Sequence, residues 1–536
     1  MQTLYVGRIY TLADGDVAGP VEALLTEGSR VRAAGARAAL EPALRPGDRV
    51  VDLGGATLIP GFVDAHVHLV PHGFRLTDVD LSGAQSLAEA VRRIAARHAR
   101  LAPGQALRGG GWSAAGWERP PTRHDLDAVC PGRPVALFSR DLHTIWVNSY
   151  TLERAGITRD TPDPPGGRIE RDPGGEPTGL LRDGAIPPVL AALPARAPAE
   201  LEEALAAAVR DALAGGVTAV ADMAADIAVD DVAAFRAMQS LARRGELPLR
   251  VVKYVPEAAL DRLAAAGVES GLGDDRLRLG GVKLFADGSL GSATAWMLAD
   301  YADRPGYRGV PVHTPEELDD RVRRAVAAGL NLAIHAIGDA ANRAVLDALA
   351  RHRQASKARG LLHRIEHAQH LDPADVARFG ALGVVASVQP AHLPGDRDLA
   401  LRHLGPERAR TSFALASLRR AGALLALGSD APVVPLRPLQ GIHAAVYRRL
   451  PGEDRAWFPE EALTPLEALL AATLWAARAC GIGDRAGSLA PGKLADLTVL
   501  SRDVLSGREE DIVEAEVLAT VVGGRLVHGD LASRPV

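Results

Sequence analysis

The chain begins and ends in short alternating runs. In TLYVGRIYTL, VEALLTEGSRVRAAG and RVVDLGGATLIPG, all within the first sixty or so residues, apolar and polar positions alternate with a period of two and are interrupted by Gly, Asp and Pro, as in strands joined by turns. The last forty or so residues repeat the pattern in ADLTVL and VLATVVGGRLVHG. Two β-rich ends of one chain can pair into a single small sheet domain beside a central body. Between them recur compact apolar runs: GFVDAH, VTAVADM, LRVVKYV, LGGVKLFAD, NLAIHA, LLHRIEHA, VVASVQP and LLALGSD. Most are separated by segments of helical spacing such as LEEALAAAVRDALAGG and PEELDDRVRRAVAAGL. This alternation builds a parallel sheet. Eight runs are the number that closes a (β/α)8 TIM barrel, although an open doubly wound sheet uses the same pattern. The first two runs are separated by about residues 71–198, a span rich in Gly, Pro and Trp and far longer than a crossover, which predicts an inserted subdomain. The expected organisation is a discontinuous β-sandwich domain from residues 1–58 and 485–536, and a barrel over 59–484 carrying that insert.

Composition narrows the class without choosing within it. At 536 residues and 47% apolar content the chain can bury a large core. Its net charge of −5 is spread without blocks of one sign, which argues against nucleic acid or an acidic lipid surface as partner. Cys130 and Cys480 form no C-x-x-C arrangement, so they read as buried small hydrophobes in a reducing cytosol. With no secretory pattern at the N-terminus and no apolar run of membrane-spanning length, the expectation is a soluble cytoplasmic chain.

Candidate chemistry starts at His66 and His68 in LIPGFVDAHVHL. With 16 histidines in 536 residues, chance alone supplies roughly half of one H-x-H pair, so the spacing means little without its position. Both residues close the first apolar run, where two side chains two apart point to one side at the end of a barrel strand. Two neutral imidazoles on one face suit a divalent transition metal. The same strand-end position is held by Lys283, His335, His367 and Asp430, so five of the eight runs finish in a potential ligand.

These motifs, with GGGW at 109–112, DLHTIWVNS at 141–149, DGSLGS, AIHAIGDAAN and SVQPAHL, resemble the amidohydrolase superfamily, in particular its family-3 branch of YtcJ-like proteins and N-substituted formamide deformylases. The resemblance covers nearly the whole chain. It implies a barrel with a sandwich built from both chain ends, and one or two divalent ions, zinc foremost. His66 and His68 would hold the more buried ion with Asp430, and His335 and His367 the second. Lys283 would bridge the ions after N-carboxylation, since a carbamate offers two anionic oxygens where an ammonium offers none; the plainer alternative pairs Lys283 with Asp287. Trp112, His143, Asp287 and His392 are the substrate-pocket candidates. The implied reaction is hydrolysis of a non-peptide C–N bond in a small amide, N-substituted formamide or cyclic amide by metal-activated hydroxide, with Asp430 moving the proton and a homodimer as the family's expected assembly. An ester or carbamate hydrolase, or a non-catalytic barrel scaffold, remain alternatives.

Other histidines have simpler readings. H-R-I-E-H at 363–367 matches an inverted zinc-peptidase pattern, which would require a helix there, and His363 lies roughly 13 Å of strand from His367. His370 reads as a surface or supporting residue, and His98, His352 and His403 as solvated helical positions. Trp146 reads as core of the insert.

Overall fold

The computed structural model describes residues 1–536 apart from 14–18, 115, 141–143, 165–166, 225–229, 532 and 536. Eight parallel strands form a nearly closed barrel sheet in strict chain order. They are β1 (Phe62–Val67), β2 (Val217–Asp222), β3 (Arg250–Pro256), β4 (Leu277–Phe285), β5 (Leu332–Ala336), β6 (Arg364–His367), β7 (Val385–Val388) and β8 (Leu424–Leu427). Registers Phe285↔His335 and Ala336↔His367 bring the ends of β4, β5 and β6 level, so their terminal side chains meet at one rim. Helices follow the later strands, for example Pro315–Ala327 before β5, which starts on a capping box of Thr314 and Glu317 with Pro315 in its first turn.

The seam between β8 and β1 is closed just past the strand ends. Asp430 N donates to His66 O at 2.7 Å, and His68 N donates to Ala431 O at 2.9 Å. Asp64, buried in β1, accepts from Ser429 N at 3.0 Å and from His66 N at 3.0 Å. Gly428 permits this approach, because a Cβ there would lie 2.5 Å from His66 N.

Both chain ends enter one further sheet. Gln2–Ile9 pairs parallel with Arg49–Pro60, which pairs antiparallel with Leu497–Leu500, and Val517–Val522 and Arg525–Gly529 continue the order. Its core includes Tyr5, Leu24, Leu58, Val499 and Val521. Alternating apolar positions are what let each of these short strands cover a core with one face.

Val70–Ala208 with Ile227–Ala237 is a second compact unit, inserted in the chain after β1. It has its own six-stranded sheet, running from Gly167–Arg171 to Val79–Asp80, over a core that includes Trp112, Trp117 and Trp146. Among the described residues no helix is long and apolar enough to cross a membrane.

Candidate metal centre

The strand ends place two imidazoles with opposite commitments at their two nitrogens. His66 Nδ1 is 2.6 Å from Glu366 Oε2, and His68 Nδ1 is 3.1 Å from Met223 O, just past β2. A carbonyl only accepts, and an ionised carboxylate only accepts, so both Nδ1 atoms carry the proton and both Nε2 lone pairs are free. Those two Nε2 atoms each lie 3.3 Å from Asp430 Oδ1. These two 3.3 Å separations match the edge of a tetrahedron whose legs are about 2.0–2.1 Å, the span of zinc–nitrogen and zinc–oxygen bonds, and all three donors lie within 4.8 Å of one another. The donor set therefore fits a divalent cation.

Asp430 sits in left-handed backbone, φ 59°, as does His367, φ 73°. Neither is glycine, and such conformations persist only where surrounding contacts hold them. Burial alone would raise the Asp430 carboxyl, but His66 and His68 against its oxygens hold it well below the ordinary carboxylate range. His66 shows the same field from the other side. Burial opposes its charge, yet Asp430 and Glu366 raise its pKa against the nearby Lys283.

A second group of donor atoms, from His367, His392 and Asp430, lies within 4.8 Å of one another, as does the group of His66, His68 and Asp430. His392 Nε2 is 3.8 Å from Asp430 Oδ2. His367 Nδ1 and His392 Nε2 are buried and lack hydrogen-bond partners. The His335 ring stands edge-on to His367, centroids 4.5 Å apart, but its Nε2 faces Gly288 O at 3.1 Å. Burial and then Lys283 press its pKa down to about 3, so it is neutral. Lys283 is 2% exposed, with Nζ 4.6 Å from the centre of the Phe285 ring.

Beneath His66 lies an ion pair that the sequence motifs did not single out. Arg364 and Glu366 are fully buried. Arg364 Nε donates to Glu366 Oε1 at 2.5 Å, and Nη2 donates to Glu366 Oε2 at 3.1 Å, Ala65 O at 2.5 Å and Ser387 Oγ at 2.6 Å. Burial opposes ionisation of Glu366, but Arg364 and His66 outweigh it and hold the carboxyl well below its usual range. A visible signal was the R-x-E-H spacing of β6, two opposite charges in a run too short and apolar to solvate them. The strand also removes the helix that the inverted zinc-peptidase pattern requires.

The pocket candidates divide. His392 reaches the centre, as described. His143 lies outside the described residues. Asp287 is 1% exposed and accepts from Trp296 N at 2.9 Å, Ile337 N at 3.0 Å and Gly338 N at 2.8 Å. Burial pushes its carboxyl up to about 7 against those amides, this geometry fastens loops together, and Oδ1 lies 3.6 Å from His335 Nε2. Trp112 is 5% exposed, donates to Leu137 O at 2.8 Å and packs against Trp117 and Trp146 in the core of the inserted unit, which corrects its reading as a pocket wall. His370 is likewise buried, with Nδ1 2.8 Å from Ser412 Oγ, and His403 is buried with Nδ1 2.9 Å from Asp303. His370 thus takes the supporting alternative of its reading, whereas His403 had read as solvated, because a polar sequence neighbourhood does not reveal which segment packs over it. His363 bonds Ser356 at 3.0 Å and Leu332 N at 3.2 Å, at the end of β6 opposite His367.

Comparison with known proteins places this architecture. Residues 49–528 match the Amidohydrolase family. The chain is 38% identical over 515 residues to Protein LONG AFTER FAR-RED 3 of Arabidopsis thaliana, covering 95% of this chain and 88% of that one. It is 31% identical over 524 residues to the N-substituted formamide deformylase of Arthrobacter pascens, 94% of each chain. A solved structure, an uncharacterised metal-dependent hydrolase from Pyrococcus furiosus, superposes with a TM-score of 0.79 at 30% identity, covering 94% of this chain and all of that one.

Proposed function

This chain belongs to the amidohydrolase family, and we propose that it hydrolyses a non-peptide C–N bond in a small amide, an N-substituted formamide or a cyclic amide, with zinc as the working metal. The observation that carries the reading is that His66 Nε2 and His68 Nε2 each lie 3.3 Å from Asp430 Oδ1, with each Nδ1 engaged elsewhere. A divalent cation held by these residues supplies Lewis-acid polarisation of the carbonyl and lowers the pKa of a coordinated water from 15.7 to about 7.

The protein's own groups do the rest. Asp430 accepts the proton of the attacking water as the new C–O bond forms, then returns it to the amide nitrogen as the C–N bond breaks, leaving a carboxylic acid and an amine. His66 and His68 keep its carboxylate ionised. Glu366 and the Met223 carbonyl hold the two imidazoles in the tautomer that presents Nε2. His335 stands edge-on to His367 beside this centre, and Lys283, if carboxylated, would offer two anionic oxygens to a cation held there. The A. pascens relative named as an N-substituted formamide deformylase favours formamides within the class.

The test is turnover of zinc-loaded protein against N-substituted formamides, N-acyl amino acids and cyclic imides, beside the Asp430→Asn variant. We expect formamide cleavage by the wild type, and a folded, zinc-binding variant without turnover. Near-normal activity in that variant would remove Asp430 from the chemistry.

A further inference from the structure

We propose that Asp396 is a specificity-determining residue, an ammonium subsite that selects amides whose nitrogen carries a short chain ending in a protonated amine. The proposal rests on the reading above, that the chain hydrolyses a small amide, and names the substrate it prefers.

Asp396 is an acid with an oxygen to spare. It lies in the first turn of the helix Leu393–Arg408, and its carboxylate is half-buried. Oδ2 accepts from Gln369 Nε2 at 2.7 Å, whereas Oδ1 has no hydrogen-bond partner among the described residues. Burial raises its pKa, and only His392 and the Gln369 hydrogen bond oppose that, with no lysine or arginine contributing. Neighbouring acids are committed in full. Asp287 accepts from three backbone amides, and both oxygens of Glu366 accept from Arg364. A carboxylate withdrawn from water without a counter-charge is costly, and a ligand that brings a positive charge relieves the cost. An ammonium does so with three N–H donors and no acceptor.

The fold holds this carboxylate beside the residues of the reaction. Gln369, two residues past His367, is buried, and its carbonyl accepts from Phe413 N at 2.7 Å, so the group that grips Oδ2 is itself fixed. On the other side His392 caps the helix in helical backbone, with Nε2 3.8 Å from Asp430 Oδ2. His392, Asp396 and Leu399 follow one another at i, i+4 and i+7, which puts them on one helix face. Leu399 Cδ1 would lie 4.0 Å from a Cβ at Gly291, in the turn after β4 that also presents Gly288 O to His335 Nε2 at 3.1 Å. That face therefore runs beside the reaction centre as imidazole, carboxylate and alkyl group. One helical turn, about 5.4 Å, separates its first two members, a span that a four-carbon chain covers. An acid in a first turn also favours the helix dipole, but that role alone gives no preference among substrates.

The test gives the zinc-loaded full chain two amides of nearly equal shape, N-(4-aminobutyl)formamide and the neutral N-pentylformamide. We expect kcat/KM for the charged amide to exceed that for the neutral one by roughly 10–150-fold, the worth of a hydrogen bond to a charged group. In Asp396→Asn the ratio should fall to about one. Each ratio is taken within one protein, so general damage to the variant cancels. Calorimetric titration of both amides into Asp430→Asn reads the same preference as a ratio of Kd values, without turnover. Equal kcat/KM in the wild type, or a folded Asp396→Asn that keeps the preference, would overturn the subsite while cleavage of both amides upholds the reaction. If the wild type cleaves neither amide, the reading of the reaction fails and calorimetry alone decides: tighter binding of the charged amide by about tenfold or more upholds the subsite, and equal binding overturns it.

Discussion

Replacing Glu366 with Gln changes one atom beneath His66 and tests whether a buried carboxylate sets the metal-binding tautomer. Glu366 Oε1 accepts from Arg364 Nε, and Oε2 accepts from both Arg364 Nη2 and His66 Nδ1. An amide has one oxygen for these two positions. With nitrogen at the Oε1 position it faces the Arg364 Nε donor. With nitrogen at the Oε2 position it faces Arg364 Nη2, and His66 can satisfy it only by moving its own proton to Nε2, the atom aimed at the metal. Every orientation therefore sets donor against donor or blocks the ligand, and it leaves the buried guanidinium of Arg364 without its counter-charge. Removing one partner of a buried ion pair costs about 3–5 kcal/mol, a few degrees in the melting midpoint of a chain this long. Loss of a carboxylate that orients a histidine ligand costs about 10–100-fold in metal affinity, or about 1.4–2.7 kcal/mol. Calorimetry of the metal-free protein reads the first quantity, and zinc competition against a chelator of known affinity reads the second. A folded variant that binds zinc as tightly as the wild type would refute the tautomer argument, even if its stability fell as expected.

Gly428→Ala should part the β1–β8 seam, because the new Cβ would stand 2.5 Å from His66 N and 2.7 Å from His66 Cβ; we expect a loss of at least about 1–3 kcal/mol and weaker zinc binding, read by melting and by the same competition assay. Trp112→Ala should destabilise the inserted unit by about 3–5 kcal/mol in a denaturant melt followed by tryptophan fluorescence; unchanged stability with a raised KM would return Trp112 to the substrate pocket. Glu257 accepts from His313 Nε2 at 2.9 Å and pairs with Arg321, and the His313 hydrogen bond, against the opposing cost of burial and with help from Arg321, lowers its pKa to about 2. A depressed carboxyl contributes stability above its unfolded value near 4.5 and loses it as pH falls toward about 2. Glu257→Gln should therefore cost about 1 kcal/mol at pH 7 after solvent screening, and the gap in melting midpoint from the wild type should close on acidification; a gap constant from pH 7 to pH 3 would refute the linkage.

The strand-end histidines, Lys283 and Asp430 were legible because each is marked by local information: an apolar run, its end, and the residue standing there. The same periodicity carried the eight-strand barrel, the strands at both chain ends and the insertion after β1, since alternation and helical spacing are written over a few consecutive residues. Partnership was not legible. Glu366 meets His66 across 300 residues of sequence only because β6 and β1 stand in one nearly closed barrel, and nothing near either residue specifies that register. His392 was placed in the pocket by its motif, but which oxygen of Asp430 it faces depends on how the turn after β7 is tied to the loop after β6. Trp112 and His403 were misread for the same reason. Whether a polar or aromatic side chain is wetted or buried is decided by the segment that packs over it, and that segment comes from elsewhere in the chain. Sequence alone determined which donor-bearing residues stand at the strand ends and their common rim, while the tertiary structure determined their tautomers, pairings and burial, because those follow from long-range contacts that no local pattern encodes.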